Sequence, residues 1–557
     1  MPPPMGPTRA IMPPADRSTS DIAAGAPAPA PAARARGRPE MGAFAVLVTI
    51  FVCLGTGHLA IASYFPSVAA NAVGVVLVAL IIGRLLLVRN NIFSAVLVIF
   101  FCSQFNFANN QGGLFNLVAF LLFTIYWIAK PPLRETTRGS DVIVNTLVGI
   151  LFVSNMLGLL VRNPMPVPVI GLEAATFAAY MLAFRFASSL RLTEARLRNF
   201  MIVAGFMAAY NFAVSLNQNY GLLYIDTPLL GMTRDLFYAT SNAFGTFGSA
   251  SSNGQYAMML LALILPLLAA SASQKALNLS PLHFVPIAVM SGLTLILANM
   301  RAAALESAAI VVIYTVMFSL MHRRAFRNAK YVNMASTAVI VVLATVGVWF
   351  NLENIARDFE AVQVEDASSI ESGKALNRFG PWQYGWERLQ RESWWIGYGH
   401  GNDQSNQIAW GGRQMSTSGA VAGGGHLHNL YLALPMMYGW VGALAYVLLF
   451  LVVVFRLLGS VRRYGLNNIK VVTCLGFLVS LAFFLLDEIK SGNAVQTVNY
   501  AMVAWIWLGL GLAAHRTLLT DVAEERARRQ AAEASGDKAE GKAPATDRAT
   551  PHKKARM

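Results

Sequence analysis

His426-Leu427-His428-Asn429-Leu430-Tyr431-Leu432 ends a polar stretch, residues 352–428, and opens a run that stays apolar to about residue 456. A continuous run of that length is a membrane-spanning helix, because a chain inside a bilayer must pair its own backbone N–H and C=O groups. A barrel strand would instead alternate polar with apolar residues. Working outward from this stretch, apolar runs recur at about 42–62, 67–88, 92–108, 113–130, 141–161, 168–188 and 199–216. Others follow at about 254–272, 282–299, 302–320, 331–351, 471–487 and 494–515. The expected fold is therefore all-α: a polytopic integral membrane protein with about 12–14 transmembrane helices and one large outer loop.

Composition leads to the same class. With 55% hydrophobic and only 13% charged residues, and a mean hydropathy of +0.50, the chain has too little polar surface to cover a soluble globule. The net charge of +15 is a topology signal: with the N-terminus in the cytoplasm, most of the 43 Lys and Arg residues fall on the inner side. Arg323, Arg324, Arg327, Lys330, Arg456, Arg462, Arg463 and Lys470 are among them. Because the basic residues are spread over many inner loops and both tails, a nucleic-acid partner is not expected.

These observations divide the chain into six parts. Residues 1–40, rich in Pro, Ala and Arg, read as a disordered cytoplasmic tail. N-terminal transmembrane helices occupy 41–216, and an outer loop with central transmembrane helices occupies 217–351. The large outer loop at 352–428 is the expected catalytic segment, followed by C-terminal transmembrane helices at 429–515 and a charged cytoplasmic tail at 516–557. Cys53, Cys102 and Cys474 all lie in predicted spans, which points away from a disulfide framework or a thiolate metal site. No Walker-type loop, HExxH or GxSxG motif is present, so no nucleotide cofactor or metal is expected.

Three separated pieces carry chemistry on the outer face. Arg301, in Asn299-Met300-Arg301-Ala302, sits where a guanidinium can hold a phosphate at lipid level, or where it merely snorkels as a topology residue. Glu306 lies farther into the same helix, an expensive place for a carboxylate. The second piece runs from Asn377-Arg378 through Trp382, Trp386, Arg388, Arg391 and Trp394 to Gly397-Tyr398-Gly399-His400. Trp382, Trp386, Leu389 and Trp394 fit a short amphipathic helix on the membrane interface; its Arg and Trp residues suit phosphate and sugar binding, or serve only as an anchoring belt. The third piece is His426 and His428 after Gly423-Gly424-Gly425, with His428 at the start of a helix whose dipole favours the neutral imidazole, available as a base or as a structural cap.

Taken in order, these motifs resemble the O-antigen ligase and Wzy-type polysaccharide polymerase superfamily. The family's G-T-F-G element is echoed by Gly245-Thr246-Phe247-Gly248, with Asn253 opening the next span, and its S-R-G helix start by Met300-Arg301-Ala302. Its R, W and G-x-G loop pattern is matched by Arg378, Trp386 and Gly397-Tyr398-Gly399. Its H-N-x-x-L and later G-x-x-G are matched by His428-Asn429-Leu430-Tyr431-Leu432 and Gly439-Trp440-Val441-Gly442. Met300 stands where much of the family has Ser, and Arg234 lies farther from the G-T-F-G element than the family's Arg.

The resemblance implies a GT-C-like helical fold in the bacterial inner membrane, with both termini cytoplasmic and the active site in a periplasmic loop. It implies an undecaprenyl-diphosphate-linked glycan as donor and a lipid-linked glycan or lipid A-core as acceptor, with membrane lipids and a chain-length regulator as further partners. Within that reading His428 is the candidate general base, and Arg301 and Arg378 are the candidate cations for the departing diphosphate. Arg234, His426, Asn429, Tyr431, Trp386, Arg388 and Arg391 are the candidate substrate-binding residues. A Wzy-type polymerase for O-antigen or exopolysaccharide is the first expectation and an O-antigen ligase the second. A polysaccharide flippase or transporter is the alternative from another class, although no related halves or interrupted midplane helices are legible.

Overall fold

The computed structural model describes residues 41–61, 68–87, 91–105, 111–129, 141–162, 166–220, 243–247, 249–274, 284–321, 386, 389–391, 394–400, 429–466, 468–496 and 498–534. Among them every regular element is a helix. In chain order these are α1 (Ala43–Ile61), α2 (Val68–Leu87), α3 (Ile92–Cys102), α4 (Gln111–Ala129) and α5 (Val142–Leu157), which runs into a π-helical turn at Gly158–Arg162. Then come α6 (Val167–Ser189), α7 (Glu194–Tyr220), α8 (Ala250–Gln274), α9 (Phe284–Ala298) and α10 (Arg301–Met321). The C-terminal part has α11 (Leu430–Tyr464), α12 (Ile469–Asp487), a short α13 (Asn493–Gln496) and α14 (Val498–Ala534).

Among the described residues, seven helices, α5 to α8, α11, α12 and α14, are long and apolar enough to cross a membrane, and six shorter apolar helices lie on α1 to α4, α9 and α10. The chain is thus an all-α polytopic membrane protein. Every predicted span coincides with one of these helices except 331–351, which lies outside the described residues. The largest boundary difference from the sequence reading is in α14, which continues past residue 515 to Ala534. Arg191 pairs there with Asp521 and, at 2.9 Å, with Glu524, while Thr517 accepts from the Leu192 N–H at 2.8 Å. These contacts and the i,i+4 pair Arg529–Glu525 hold the polar extension helical.

The centre of the assembly is α8, whose span Ala250–Ser271 is buried all round, as expected for a helix apolar on every face. It packs against α9, α10 and α12, while α5 packs on α11 and α6 on α14. An aromatic cluster fills the junction of α3, α7 and α14, with Phe100 stacked on Trp507 at 5.9 Å and Phe200 at 6.3 Å from the same indole. Val153, Leu160, Phe206, Leu444 and Phe455 are exposed on the outside of the bundle, the apolar surface that lipid requires.

A candidate active site at one end of the bundle

The Gly245-Thr246-Phe247 element is a tight turn clamped between α7 and α8. Asn211 Oδ1 accepts from the Thr246 N–H at 2.9 Å, and its Nδ2 donates to Asn253 Oδ1 at 2.7 Å. Gln218 accepts from Gly245 N–H at 2.8 Å and donates to Gly245 O at 3.0 Å. Gly245 has φ +56°, and a Cβ there would lie 2.4 Å from Asn211 Oδ1, so glycine is required twice over. One residue past Asn253, a Cβ on Gly254 would lie 2.9 Å from Met300 Cβ. That close approach seats the start of α10, and with it Arg301, on the first turns of α8.

The next residue ties in the helix that follows His428. Gln255 Nε2 donates to Glu488 Oε1 at 2.8 Å, and Ser491 Oγ and Ala494 N–H donate to the same carboxylate at 3.3 Å each. The Glu488 carbonyl accepts the N–H of Leu430 at 2.9 Å, satisfying one of the donors that a helix start leaves open. Glu488 is fully buried, and loss of water pushes its carboxyl up to about 8; the donor from Gln255 opposes this and the neighbouring Asp487 adds to it. Asp487 pairs with Lys490, which also reaches Glu306 of α10 at 3.3 Å. The starts of α8, α10 and α11 and the end of α12 are thereby fastened together.

The third piece is a strap, Trp394–His400, laid across a break in α11. Pro435 and Gly439 interrupt that helix, and Gly439 takes the non-helical angles φ 70° and ψ 170°. Carbonyls that a continuous helix would use are instead paired with the strap: Tyr398 N–H donates to Met436 O at 2.8 Å and Gly399 N–H to Met437 O at 2.7 Å. In return Trp440 N–H donates to Trp394 O at 2.8 Å. A Cβ on Gly397 would lie 2.3 Å from the Met437 carbonyl, and one on Gly439 2.3 Å from the Trp395 oxygen. The G-x-G and G-x-x-G motifs are therefore two halves of one backbone contact. Arg162 fastens the strap from the π-helical turn, donating to Ile396 O at 2.7 Å with its guanidinium 4.5 Å over Trp394 and 4.6 Å over Tyr398.

His400 closes the strap inside the protein. Its N–H donates to Asn155 Oδ1 at 2.5 Å and its Nδ1 lies 3.0 Å from the Tyr438 hydroxyl, while Tyr180 meets it edge-on at 5.3 Å. Burial pushes the imidazole down to about 4, so it is neutral at physiological pH.

The sequence-predicted site residues fall as follows. Arg301 opens α10. Asn429 is the N-cap of α11, accepting from Leu432 N–H at 3.1 Å, and the Tyr431 hydroxyl donates to Leu485 O at 2.8 Å. Both side chains thus hold the helix start directly after His428. Trp386 and Arg391 are exposed, whereas Leu389 and Trp394 are buried. The amphipathic-helix reading is corrected at Trp394: its indole lies under Arg162 within the protein, because the break in α11 offers the strap backbone partners that an interface lacks. Arg234, Arg378, Arg388, His426 and His428 lie outside the described residues. Sequence reasoning assigned no role to Gln255, Glu488 or His400; the signal for the second was a charged cluster, Asp487-Glu488-Ile489-Lys490, ending an otherwise apolar run.

Fold and site together define a polytopic helical membrane protein with a buried polar network fastening helix starts at one end of the bundle. Residues 286–447 match the family described as O-antigen ligase, which supports membership of the O-antigen ligase-related superfamily. The match begins in α9 and ends in α11, so it includes Arg301, the strap and the helix start after His428. No curated protein matches the chain.

Proposed function

We propose that this protein is a glycosyltransferase of the bacterial inner membrane that moves an undecaprenyl-diphosphate-linked glycan onto an acceptor hydroxyl at the periplasmic face. The reading is carried by one observation: α10, which begins with Arg301, and α11, which begins just after His428, start at the same end of the bundle, α10 against Gly254 of α8 and α11 tied through Glu488 to the next residue, Gln255. His428 takes the proton from the acceptor hydroxyl, and that oxygen forms a bond to the anomeric carbon as the bond from that carbon to the diphosphate oxygen breaks. The lipid diphosphate leaves as an anion, held by Arg301 with Arg378 and Arg234. The energy of the diphosphate linkage drives transfer, which accounts for a sequence without a nucleotide-binding motif.

The acceptor in this proposal is another lipid-linked repeat unit, which makes the protein a Wzy-type polymerase. The matched family's description favours a second reading, a ligase that passes finished glycan to lipid A-core. Reconstitution with a defined lipid-linked donor and each acceptor separates them: a ladder of products marks a polymerase and one discrete transfer marks a ligase. His428→Ala and Arg301→Ala are expected to abolish either product while donor binding survives in His428→Ala. Unchanged product with impaired translocation of the donor in those variants would overturn the enzyme assignment in favour of a flippase.

A further inference from the structure

The end of the bundle opposite the candidate site holds a cavity of about 470 Å³ between the last turns of α11 and the polar extension of α14. Arg456, Ser460, Arg463, Tyr464, His515 and Arg526 line it, and among the described residues no carboxylate does. Gly459 lies roughly 45 Å along α11 from Asn429 at helical rise, which is the full depth of a bilayer with its head groups.

Among the described residues, carboxylates do not balance the charges of this lining. Arg456 Nη2 donates to Asp141 Oδ1 at 2.9 Å, and Arg516 shares the same carboxylate at 3.5 Å. Arg463 and Arg526 have no carboxylate partner among the described residues; Arg463 only lies 5.7 Å from the Tyr464 ring. Ser460 Oγ and His515 Nδ1, 2.7 Å apart, add hydrogen-bonding groups to the wall. Beside the cavity, Phe455 is 63% and Leu458 46% exposed, an apolar face suited to acyl chains and not to water. Gly459 leaves the space open, since a Cβ there would meet nothing within 4 Å.

We propose that this cavity binds a phosphate ester, supplied by the head group of an anionic membrane lipid whose acyl chains lie along Phe455 and Leu458. Guanidinium groups pair with phosphate oxygens in fork geometry, and the basic cavity sits where α11 leaves its apolar surface. The site is independent of the proposed glycosyl transfer, which takes place at the other end of the same helices.

The test uses full-length protein exchanged into mixed micelles, with retained lipid read by native mass spectrometry. Phosphatidylglycerol is expected to be retained over phosphatidylcholine by the parent protein. Arg463→Gln/Arg526→Gln and, separately, Gly459→Trp are each expected to cut that retention about tenfold. The glycine variant fills the cavity without removing a charge, and unchanged melting temperatures verify folding of both. Inorganic phosphate that fails to displace the lipid supports the membrane source. Displacement by submillimolar phosphate retains the phosphate chemistry and reassigns its source to a soluble ester. Equal retention of both lipids, or equal retention by the parent and both variants, would overturn the proposal.

Discussion

Gln255 Nε2 and Glu488 Oε1 lie 2.8 Å apart, and through this bond the helix that seats Arg301 is joined to the residue whose carbonyl holds the start of α11. Glu488 sits in the fold at about 8 against an ordinary value of 4.5, so the native state favours its neutral form. Its contribution is complete below 4.5, declines as pH rises between those values, and changes no further above 8. The melting temperature in detergent is expected to fall across that window. Glu488→Gln should flatten the slope while preserving much of the activity, whereas Glu488→Ala strands the donors of Gln255 and Ala494 and should cost roughly 2 kcal/mol or more together with most of the transfer rate. A pH slope identical in parent and Glu488→Gln would remove Glu488 as its source.

Gly397→Ala is expected to be among the most damaging single-methyl changes in the chain. Its new Cβ would face the Met437 carbonyl and the Tyr438 nitrogen, at 2.3 and 2.6 Å, and neither backbone atom can rotate away. Overpacking of this kind costs on the order of 1–3 kcal/mol when neighbours yield, and here they are backbone. Limited proteolysis should show the strap cut faster than in the parent. Gly171→Ala, where a Cβ would meet nothing within 4 Å, is the matched control and should be silent.

Arg162 combines one hydrogen bond to Ile396 O with stacking over two rings, a pair of tasks that a planar guanidinium performs and an ammonium does not. Arg162→Lys should therefore behave much like Arg162→Ala, with a loss of about 1 kcal/mol at the strap. Altered tryptophan emission reports it, since the buried Trp394 loses its cationic cover. Full retention of strap protection in the lysine variant would show that charge alone suffices.

The helical class and nearly every span were legible because hydropathy is a local property of consecutive residues: the runs at 254–272 and 471–487 stand out in the sequence and appear as α8 and α12. Arg162 shows what was not legible. As one basic residue at a helix end it reads as a topology marker, and only the approach of residues 394–398, far along the chain, makes it a clamp. Gly397 and Gly439 could be matched to motifs, but their mutual contact depends on the kink at Pro435–Gly439, whose freed carbonyls find their N–H donors through tertiary structure. Glu488 was hidden for a similar reason: a carboxylate ending a span looks like an interfacial charge until Gln255 is brought across from α8.

Two histidines near the loop can be separated by pH. His400 is pushed down to about 4 from an ordinary 6.5, so it stays neutral across the working range and cannot produce a rate limb near neutrality. Its stabilising contribution is present above 6.5 and lost as pH falls through 4, so His400→Gln should lower the melting temperature at neutral pH and approach the parent in acid. The rate limb itself should survive in His400→Gln, with a reduced maximum if the strap loosens. His428→Ala should instead erase the limb and lower kcat by roughly 10²- to 10⁴-fold, the usual contribution of a positioned base. A limb that shifts with His400→Gln and persists in His428→Ala would transfer the base to the buried ring beside Tyr438, and the acceptor would then have to enter between α5 and the break in α11.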